Sequence, residues 1–183
     1  NLEPDGNLSA SPEDNKFSWD ISGIWKRNED VNLYARVATG YRGSSIQSAG
    51  AFNIKSVAEP ETSTSYEIGI KANFWDKRAR LNANVFYYEV KDQQLTAVGG
   101  PGNGNILLNA EKSVGQGFDL DFHAYLTDNL LVTLGTGYND TEIKDKNLAV
   151  AVCAQCTVTD PTFVDPSNNV EYAYIDGNAL PQA

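Results

Sequence analysis

Residues 64–74 read Thr-Ser-Tyr-Glu-Ile-Gly-Ile-Lys-Ala-Asn-Phe, and this stretch decides the fold class. Every second residue from Tyr66 to Phe74 is apolar, while the residues between them are charged, polar or glycine. In an extended chain, successive side chains point to opposite faces, so a period of two predicts a β-strand with one apolar face. Residues 81–87 show the same alternation, which predicts a second strand of this kind after a short connection.

Six segments share this alternation and are the predicted strands, at about residues 16–27, 31–42, 63–75, 79–92, 114–126 and 130–141. Short turns at 28–30, 76–78 and 127–129 alternate strictly with long loops at 43–62, 93–113 and 142–178. In an up-and-down antiparallel sheet, alternate connections lie at opposite edges. The sequence therefore predicts an all-β, antiparallel up-and-down meander of about six strands, with tight turns along one edge and long loops along the other.

Aromatic residues form two rows on the apolar face. The row toward the long loops contains Phe17, Trp19, Tyr41, Tyr66, Tyr87 and Tyr138, and the row toward the short turns contains Trp25 and Phe74. The two rows are separated by roughly 20 Å of height on tilted strands, close to the apolar band of an outer-membrane barrel. The opposite face carries charged residues that suit a wet lumen, namely Arg36, Glu67, Lys71, Arg80, Asp119 and Asp121. These regularities favour a transmembrane β-barrel.

The composition excludes nucleic acid as a partner, while the alternation leaves a soluble all-β fold open as an alternative. The chain of 183 residues has 24 acidic and 14 basic residues, a net charge of −10, so it lacks the basic surface that nucleic acid requires. Nine of the ten net negative charges lie outside the six strands and short turns. The alternation also fits a soluble all-β binding or adhesion module, which requires a second sheet over the apolar face.

Several motifs invite a chemical interpretation that their surroundings do not support. Asp119 and Asp121 share a face, as a glycosidase pair would, but polar residues two apart are also typical of a barrel lumen. The Gly-rich stretch 99–105 lacks the Lys-Ser/Thr of a phosphate loop and predicts a loop tip. Cys153 and Cys156 are predicted to form a disulfide in an outer loop, since no second ligand pair accompanies them. The sequence thus predicts no catalytic, metal or cofactor site.

Four stretches resemble, in order and spacing, the barrel of TonB-dependent outer-membrane receptors. They are Asn32–Arg42 with Ser45–Gln47, Pro60–Lys71, Leu81–Gln93, and Asn109–Glu111 with Gly115–Asp121. The final residues, Gly177–Ala183, resemble the approach to the family's next strand. Two departures are Asp119, where the family commonly has Glu, and Gly43-Ser44, where a proline often follows the arginine.

The resemblance implies that residues 1–183 are part of a 22-stranded transmembrane β-barrel whose plug domain is absent from this stretch. It implies a bacterial outer-membrane location, contact with lipid, and contact with TonB through a missing N-terminal region. The implied function is TonB-coupled uptake of a scarce nutrient, foremost a ferric siderophore, with cobalamin or an oligosaccharide as alternatives. Ligand contacts are expected at Tyr41, Arg42 and the loops that follow them.

Overall fold

The computed structural model describes residues 9–47, 57–100 and 102–181, and it is all-β throughout those ranges. No helix in these ranges is long and apolar enough to cross a membrane. The strands in chain order are β1 Asp20–Lys26, β2 Val31–Arg42, β3 Ser45–Ile46, β4 Val57–Ala58, β5 Glu61–Phe74, β6 Ala79–Gly99, β7 Gly104–Thr127, β8 Leu130–Ile143, β9 Ala149–Ala151, β10 Thr162–Asp165 and β11 Val170–Tyr174.

Six of these strands form one antiparallel sheet in the order β1-β2-β5-β6-β7-β8. Each strand pairs with its neighbour along the chain, apart from the small β3-β4 ribbon between β2 and β5, so the predicted meander is confirmed. The turns fall where they were predicted. At the first, Asn28 Oδ1 accepts hydrogen bonds from the backbone N–H groups of Asp30 and Val31, at 2.9 and 2.7 Å. At the second, Trp75, Asp76 and Lys77 all adopt positive φ.

The apolar face of this sheet is exposed. One register row joins Ala35, Ile68, Val85, Phe118 and Tyr138 across five strands, and the last four of these side chains are between 41% and 60% exposed. A soluble sandwich would bury this face under a second sheet, because exposed apolar patches of this extent are rare in soluble monomers. No such sheet lies over it in the described part of the chain, so the structural requirement of the soluble alternative is not met.

The opposite face is polar, and aromatic rings on it lie over glycines of the neighbouring strand. A Cβ atom placed on Gly69 would be 2.5 Å from Cε1 of Tyr34, and one on Gly117 would be 2.7 Å from Cζ of Phe86. The missing side chains therefore leave room for these rings to lie flat against the sheet, a device that stabilises glycine-containing strands. The Tyr34 hydroxyl donates to Glu67 Oε1 at 2.5 Å, which fixes one of these rings in place.

The three long connections are not loops without structure, and the prediction for 93–113 is wrong. Strands β6 and β7 continue as one hairpin past residues 91 and 112 to a tip at 100–103. The connection 43–62 contains the β3-β4 ribbon, and 142–178 contains the three-stranded sheet β10-β11-β9. The alternation of apolar and polar residues stops at Gln93 and Gln94, which are both polar, and Asp92 before them adopts a positive φ of 54°. The sequence pattern therefore did not reveal that both strands continue.

Burial is concentrated at this loop end of the main sheet rather than between layers. The fully buried residues include Ser113 and Ala110 of the hairpin, each with no exposed surface, and Gln94 with 6% exposed. In the three-stranded sheet β10-β11-β9, which we call the loop sheet, Ala151 and Ala173 are also buried. The hairpin extension, the ribbon and the loop sheet therefore pack together into an ordered platform beyond the membrane-spanning strands.

A candidate ligand site at the loop end of the sheet

Gln94 organises the part of the platform that lies next to the end of β2. Its Nε2 donates to the backbone oxygens of Gly43 and Glu59, at 2.8 and 3.0 Å, and its Oε1 accepts from Ser45 Oγ at 2.5 Å. All three of these side-chain hydrogen bonds are made to one connection, 43–62. A buried amide with its partners in place is stabilising, whereas an unpaired one is costly. Gln94 therefore holds both ends of this connection against the hairpin.

Two neighbouring side chains reinforce this anchor. Glu61 Oε2 accepts from the backbone N–H of Gln94 at 2.6 Å and from Nε2 of Gln93 at 2.9 Å. Asn109 Nδ2 donates to the backbone oxygens of Glu59 and Asp92, at 2.9 and 2.6 Å, and Asn109 Oδ1 accepts from the Glu59 N–H at 2.8 Å. The ribbon and the hairpin are thus joined by side-chain hydrogen bonds from both hairpin strands.

Gln47 ties the other side of the ribbon to the hairpin. Its Nε2 donates to the backbone oxygen of Asn105, and its Oε1 accepts from the Leu107 N–H at 3.3 Å. Between these anchors lies a pocket of about 350 Å³, lined by Arg42, Ser45, Ile46, Gln47, Thr96, Asn105 and Leu107. Its walls combine hydroxyl, amide and guanidinium groups with two aliphatic side chains, a composition that suits a polar ligand of small size.

Arg42 is the charged residue of this pocket. It is exposed and stands opposite Glu61 in the strand register, yet it forms no ion pair within 4 Å among the residues that the structure describes. Glu61 instead directs one carboxylate oxygen at Gln93 and Gln94. The guanidinium group therefore keeps its donors available, and a planar fork of donors matches the geometry of a carboxylate or another bidentate oxygen ligand.

The structure separates the two residues that the sequence placed at the site. Tyr41 lies on the apolar face with Val37 and Thr39, opposite Thr62, and 44% of its surface is exposed. It does not line the pocket that contains Arg42. Its position instead matches the aromatic row at the upper boundary of the apolar band, where a ring is buried and its hydroxyl remains wet.

The carboxylates and the histidine of the lower polar face do not gather into a site. Asp119 stands opposite Asn84 and Gly137 in the register, and His123 stands opposite Arg80 and Thr133. The described ranges contain no group of three or more His, Cys, Asp or Glu residues that could hold a metal ion. These side chains line the polar face at different heights, as lumen residues do in a barrel.

A disulfide joins Cys153 and Cys156, whose Cα atoms are 5.3 Å apart, next to the hairpin tip. The Cys156 N–H also donates to the Cys153 backbone oxygen at 3.1 Å, which closes a tight turn. The Ala154 N–H donates to Asn103 Oδ1 at 2.9 Å, and the Gly100 N–H donates to the Val152 oxygen at 3.0 Å. The disulfide-closed turn and the hairpin tip are therefore held together by backbone contacts.

The loop sheet ends in a hairpin turn that is stabilised by Asp165. The backbone N–H of Ser167 donates to Asp165 Oδ1 at 2.9 Å, and the Ser167 hydroxyl donates to the same oxygen at 2.7 Å. These two donors, the backbone one foremost, hold the pKa of the Asp165 carboxyl below its usual value, against a smaller opposing effect of burial. Asp165 therefore remains ionised and keeps its negative charge at the outer end of the molecule.

Sequence reasoning missed the residues that build the pocket, although it found Arg42. Gln94, Gln47 and Asn109 are ordinary polar residues in segments that were predicted to be loops. The one available signal was the pair Gln93-Gln94 followed by Leu95 and Val98 within a stretch of β-forming residues. That signal indicates a strand that is polar on both faces, but it does not reveal that one of its amides is buried.

The sequence of the chain is similar to those of known receptors. The chain is 30% identical over 132 residues to the metal-pseudopaline receptor CntO of Pseudomonas aeruginosa strain UCBPP-PA14, and to the receptor of that name in strain PAO1. The aligned stretch is 70% of this chain and spans 17% of the length of these relatives. The family model described as "TonB dependent receptor-like, beta-barrel" matches residues 2–182. The chain therefore belongs to the TonB-dependent receptor family, whose β-barrels lie in the outer membrane of Gram-negative bacteria.

Proposed function

We propose that the receptor containing this chain carries out TonB-coupled uptake of a scarce nutrient, and that the nutrient is a metal–chelator complex, first of all a ferric siderophore. Membership of a receptor family, rather than an enzyme class, supports transport. The relatives that are named as receptors for metal-pseudopaline support a chelated metal as cargo. In this proposal the exposed apolar face contacts outer-membrane lipid, and TonB acts through a region outside this chain.

The observation that carries the ligand proposal is Arg42, which lines an ordered polar pocket and has no ion-pair partner among the described residues. Metal chelators present carboxylate or other anionic oxygen donors, and Arg binds such groups through two parallel hydrogen bonds. Ser45, Thr96 and Asn105 add hydroxyl and amide groups around the same space. The acidic loops would slow the approach of an anionic complex, but long-range steering affects the association rate rather than the strength of the final contact. Arg42 supplies the local positive charge that such a complex needs.

The experiment is uptake by cells that lack the native receptor and carry either the full-length receptor or a variant. Radiolabelled iron bound to a panel of siderophores is supplied, with labelled cobalamin and a labelled oligosaccharide as the alternative cargoes. Uptake of an iron complex that stops when TonB is deleted would support the proposal. TonB-dependent uptake of cobalamin or the oligosaccharide alone would refute the ligand class, and uptake that persists without TonB would refute the coupling.

The same assay tests Arg42. Arg42→Gln should weaken ligand binding about 10- to 100-fold, since a hydrogen bond to a charged group contributes about 1.5–3 kcal/mol, and Arg42→Lys should retain part of the affinity. Arg78→Gln is the matched control, because Arg78 carries the same charge at the opposite, short-turn edge, where it pairs with Asp128 at 3.4 Å. Equal affinities for Arg42→Gln and Arg78→Gln would remove Arg42 from the site.

A further inference from the structure

A second surface on the platform lies between the hairpin and the loop sheet, away from Arg42. It is an apolar groove of about 370 Å³, with aliphatic walls from both elements and Tyr172 at its rim. The residues lining it include Ala97, Ile106, Leu108, Leu148, Val150 and Tyr172. Ile106 is 42% exposed even though it faces this groove, so the groove is open to the outside. Neither wall carries a charged residue, which distinguishes it from the pocket of Arg42.

Three aromatic rings extend the groove across the loop sheet. Phe163 stands opposite Tyr172 in the β10-β11 register, and Tyr174 follows two residues later on the same face. The ring of Phe163 lies 5.6 Å from that of Tyr172 and 5.3 Å from that of Tyr174, measured between centroids. Phe163 and Tyr174 remain 39% and 37% exposed. The rings thus form a partly open aromatic plate continuous with the groove through Tyr172.

The chain segment that forms most of the loop sheet is acidic. Residues 147–183 contain no Lys or Arg and carry four carboxylates, from Asp160, Asp165, Glu171 and Asp176. Asp165 shares the face of Phe163, two residues further along β10, and the hydrogen bonds from Ser167 occupy only one of its two oxygens. Aromatic faces also attract cations through their quadrupole. Exposed rings beside the Asp165 carboxylate, in a segment without Lys or Arg, are complementary to a partner that is both apolar and positively charged.

We propose that this surface, made of the groove and the Phe163–Tyr172–Tyr174 plate, binds a cationic polypeptide segment with apolar side chains. The apolar side chains enter the groove, while Lys or Arg side chains lie over the rings and toward Asp165. This docking function is separate from nutrient uptake, because it does not use Arg42 and shares only Leu107 with the lining of the Arg42 pocket. A saccharide would also stack on aromatic rings, but a neutral sugar would leave the excess of carboxylates without a partner.

The test uses the full-length receptor in nanodiscs of zwitterionic phosphatidylcholine, so that anionic lipid does not bind the probe. The probe is a labelled peptide of about ten alternating Lys and Leu residues, compared with a Glu-Leu peptide and a neutral maltooligosaccharide. The cationic peptide should bind, and its affinity should fall several-fold as salt rises from about 50 to about 300 mM. Binding of the Glu-Leu peptide with equal affinity, or binding of the oligosaccharide alone, would overturn the proposal.

Variants locate the binding surface. Removing both exposed rings, Phe163→Ala with Tyr174→Ala, should weaken peptide binding about fourfold to 25-fold, since each exposed cation–π contact contributes about two- to fivefold. Asp165→Asn should weaken it about twofold to threefold without disturbing the ring stack, which keeps the test valid if the double variant unfolds the loop sheet. The control is Val164→Ala, because Val164 is 55% exposed on the opposite face of β10. Equal affinity of the Val164, Asp165 and aromatic variants would refute this location.

Discussion

Replacing Gln94 with Leu should release the connection 43–62 from the hairpin while leaving the membrane-spanning strands intact. The side chain forms three hydrogen bonds to that connection, to Gly43, Ser45 and Glu59. Leu has nearly the same volume as Gln, so the space of the side chain stays filled while its hydrogen bonds are lost. The change therefore isolates the polar contribution of a residue that is 6% exposed.

The magnitude follows from the partners that Gln94 leaves behind. Each lost hydrogen bond contributes about 1 kcal/mol, which gives about 3 kcal/mol for three. Glu59 is exposed and Gly43 and Ser45 are half-buried, so water can partly replace the amide, and about 2 kcal/mol remains. That free energy corresponds to a roughly 30-fold increase in the opening equilibrium of the ribbon.

Hydrogen exchange of the full-length receptor measures this equilibrium directly. Amides of residues 43–47 and 57–59 should exchange about 30-fold faster in Gln94→Leu, while those of residues 64–74 should keep their wild-type rates. Gln116→Leu is the control, because Gln116 is exposed on the sheet and forms none of the hydrogen bonds of the platform. Unchanged exchange at 43–47, or an equal increase in the strands, would show that Gln94 does not hold the ribbon as inferred.

Two further predictions concern the membrane face and the outer turn. Ile70→Arg, at mid-height on the apolar face, should destabilise the receptor in lipid vesicles by about 2–4 kcal/mol, measured by urea unfolding. Asn82→Arg, one position further along the register on the polar face, should cost much less. Equal costs would contradict the assignment of the faces. Because the folded pKa of Asp165 is lowered by donors from Ser167, its stabilisation of the turn is complete above the ordinary value of 3.8 and is lost as pH falls through the lower folded value. Carboxyl NMR should therefore give Asp165 a titration midpoint below 3.8, and a midpoint at or above 3.8 would refute this account.

Alternation was sufficient to predict the main sheet because a barrel strand has two different solvents on its two faces. From Tyr66 to Phe74 each outward residue is apolar and each inward residue is polar or small, so a one-residue error in register would put every side chain on the wrong face. The aromatic rows lie where the apolar band on the outer face meets water. Tyr41 belongs to that boundary, which explains why Arg42, one residue later on the other face, lines the pocket and Tyr41 does not.

The platform could not be predicted in this way, because beyond the membrane both faces of a strand meet protein or water. Strand β9 has three residues and β10 has four, which is too short for any period to be established. Turn-forming residues are more informative there than periodicity, although the predicted elements include no turn at this position. Asp165-Pro-Ser-Asn-Asn169 contains an acidic residue, a proline and an asparagine at positive φ, the residue types that hairpin turns select.

The long β6-β7 hairpin provides a folded support for the proposed ligand site. A pocket built on a disordered loop would require the loop to be ordered at each binding event, which subtracts from affinity. Here the entropy of ordering is offset during folding by side-chain amides, namely the buried Gln94 and the half-buried Asn109 on the hairpin and the half-buried Gln47 next to the ribbon. Arg42 stands at the end of a twelve-residue strand, β2, and so is itself held on a rigid element. We therefore expect the hydrogen bonds of the platform to affect ligand affinity at the proposed site without contacting the ligand, so that loss of Gln94 weakens binding at Arg42 through a less ordered pocket.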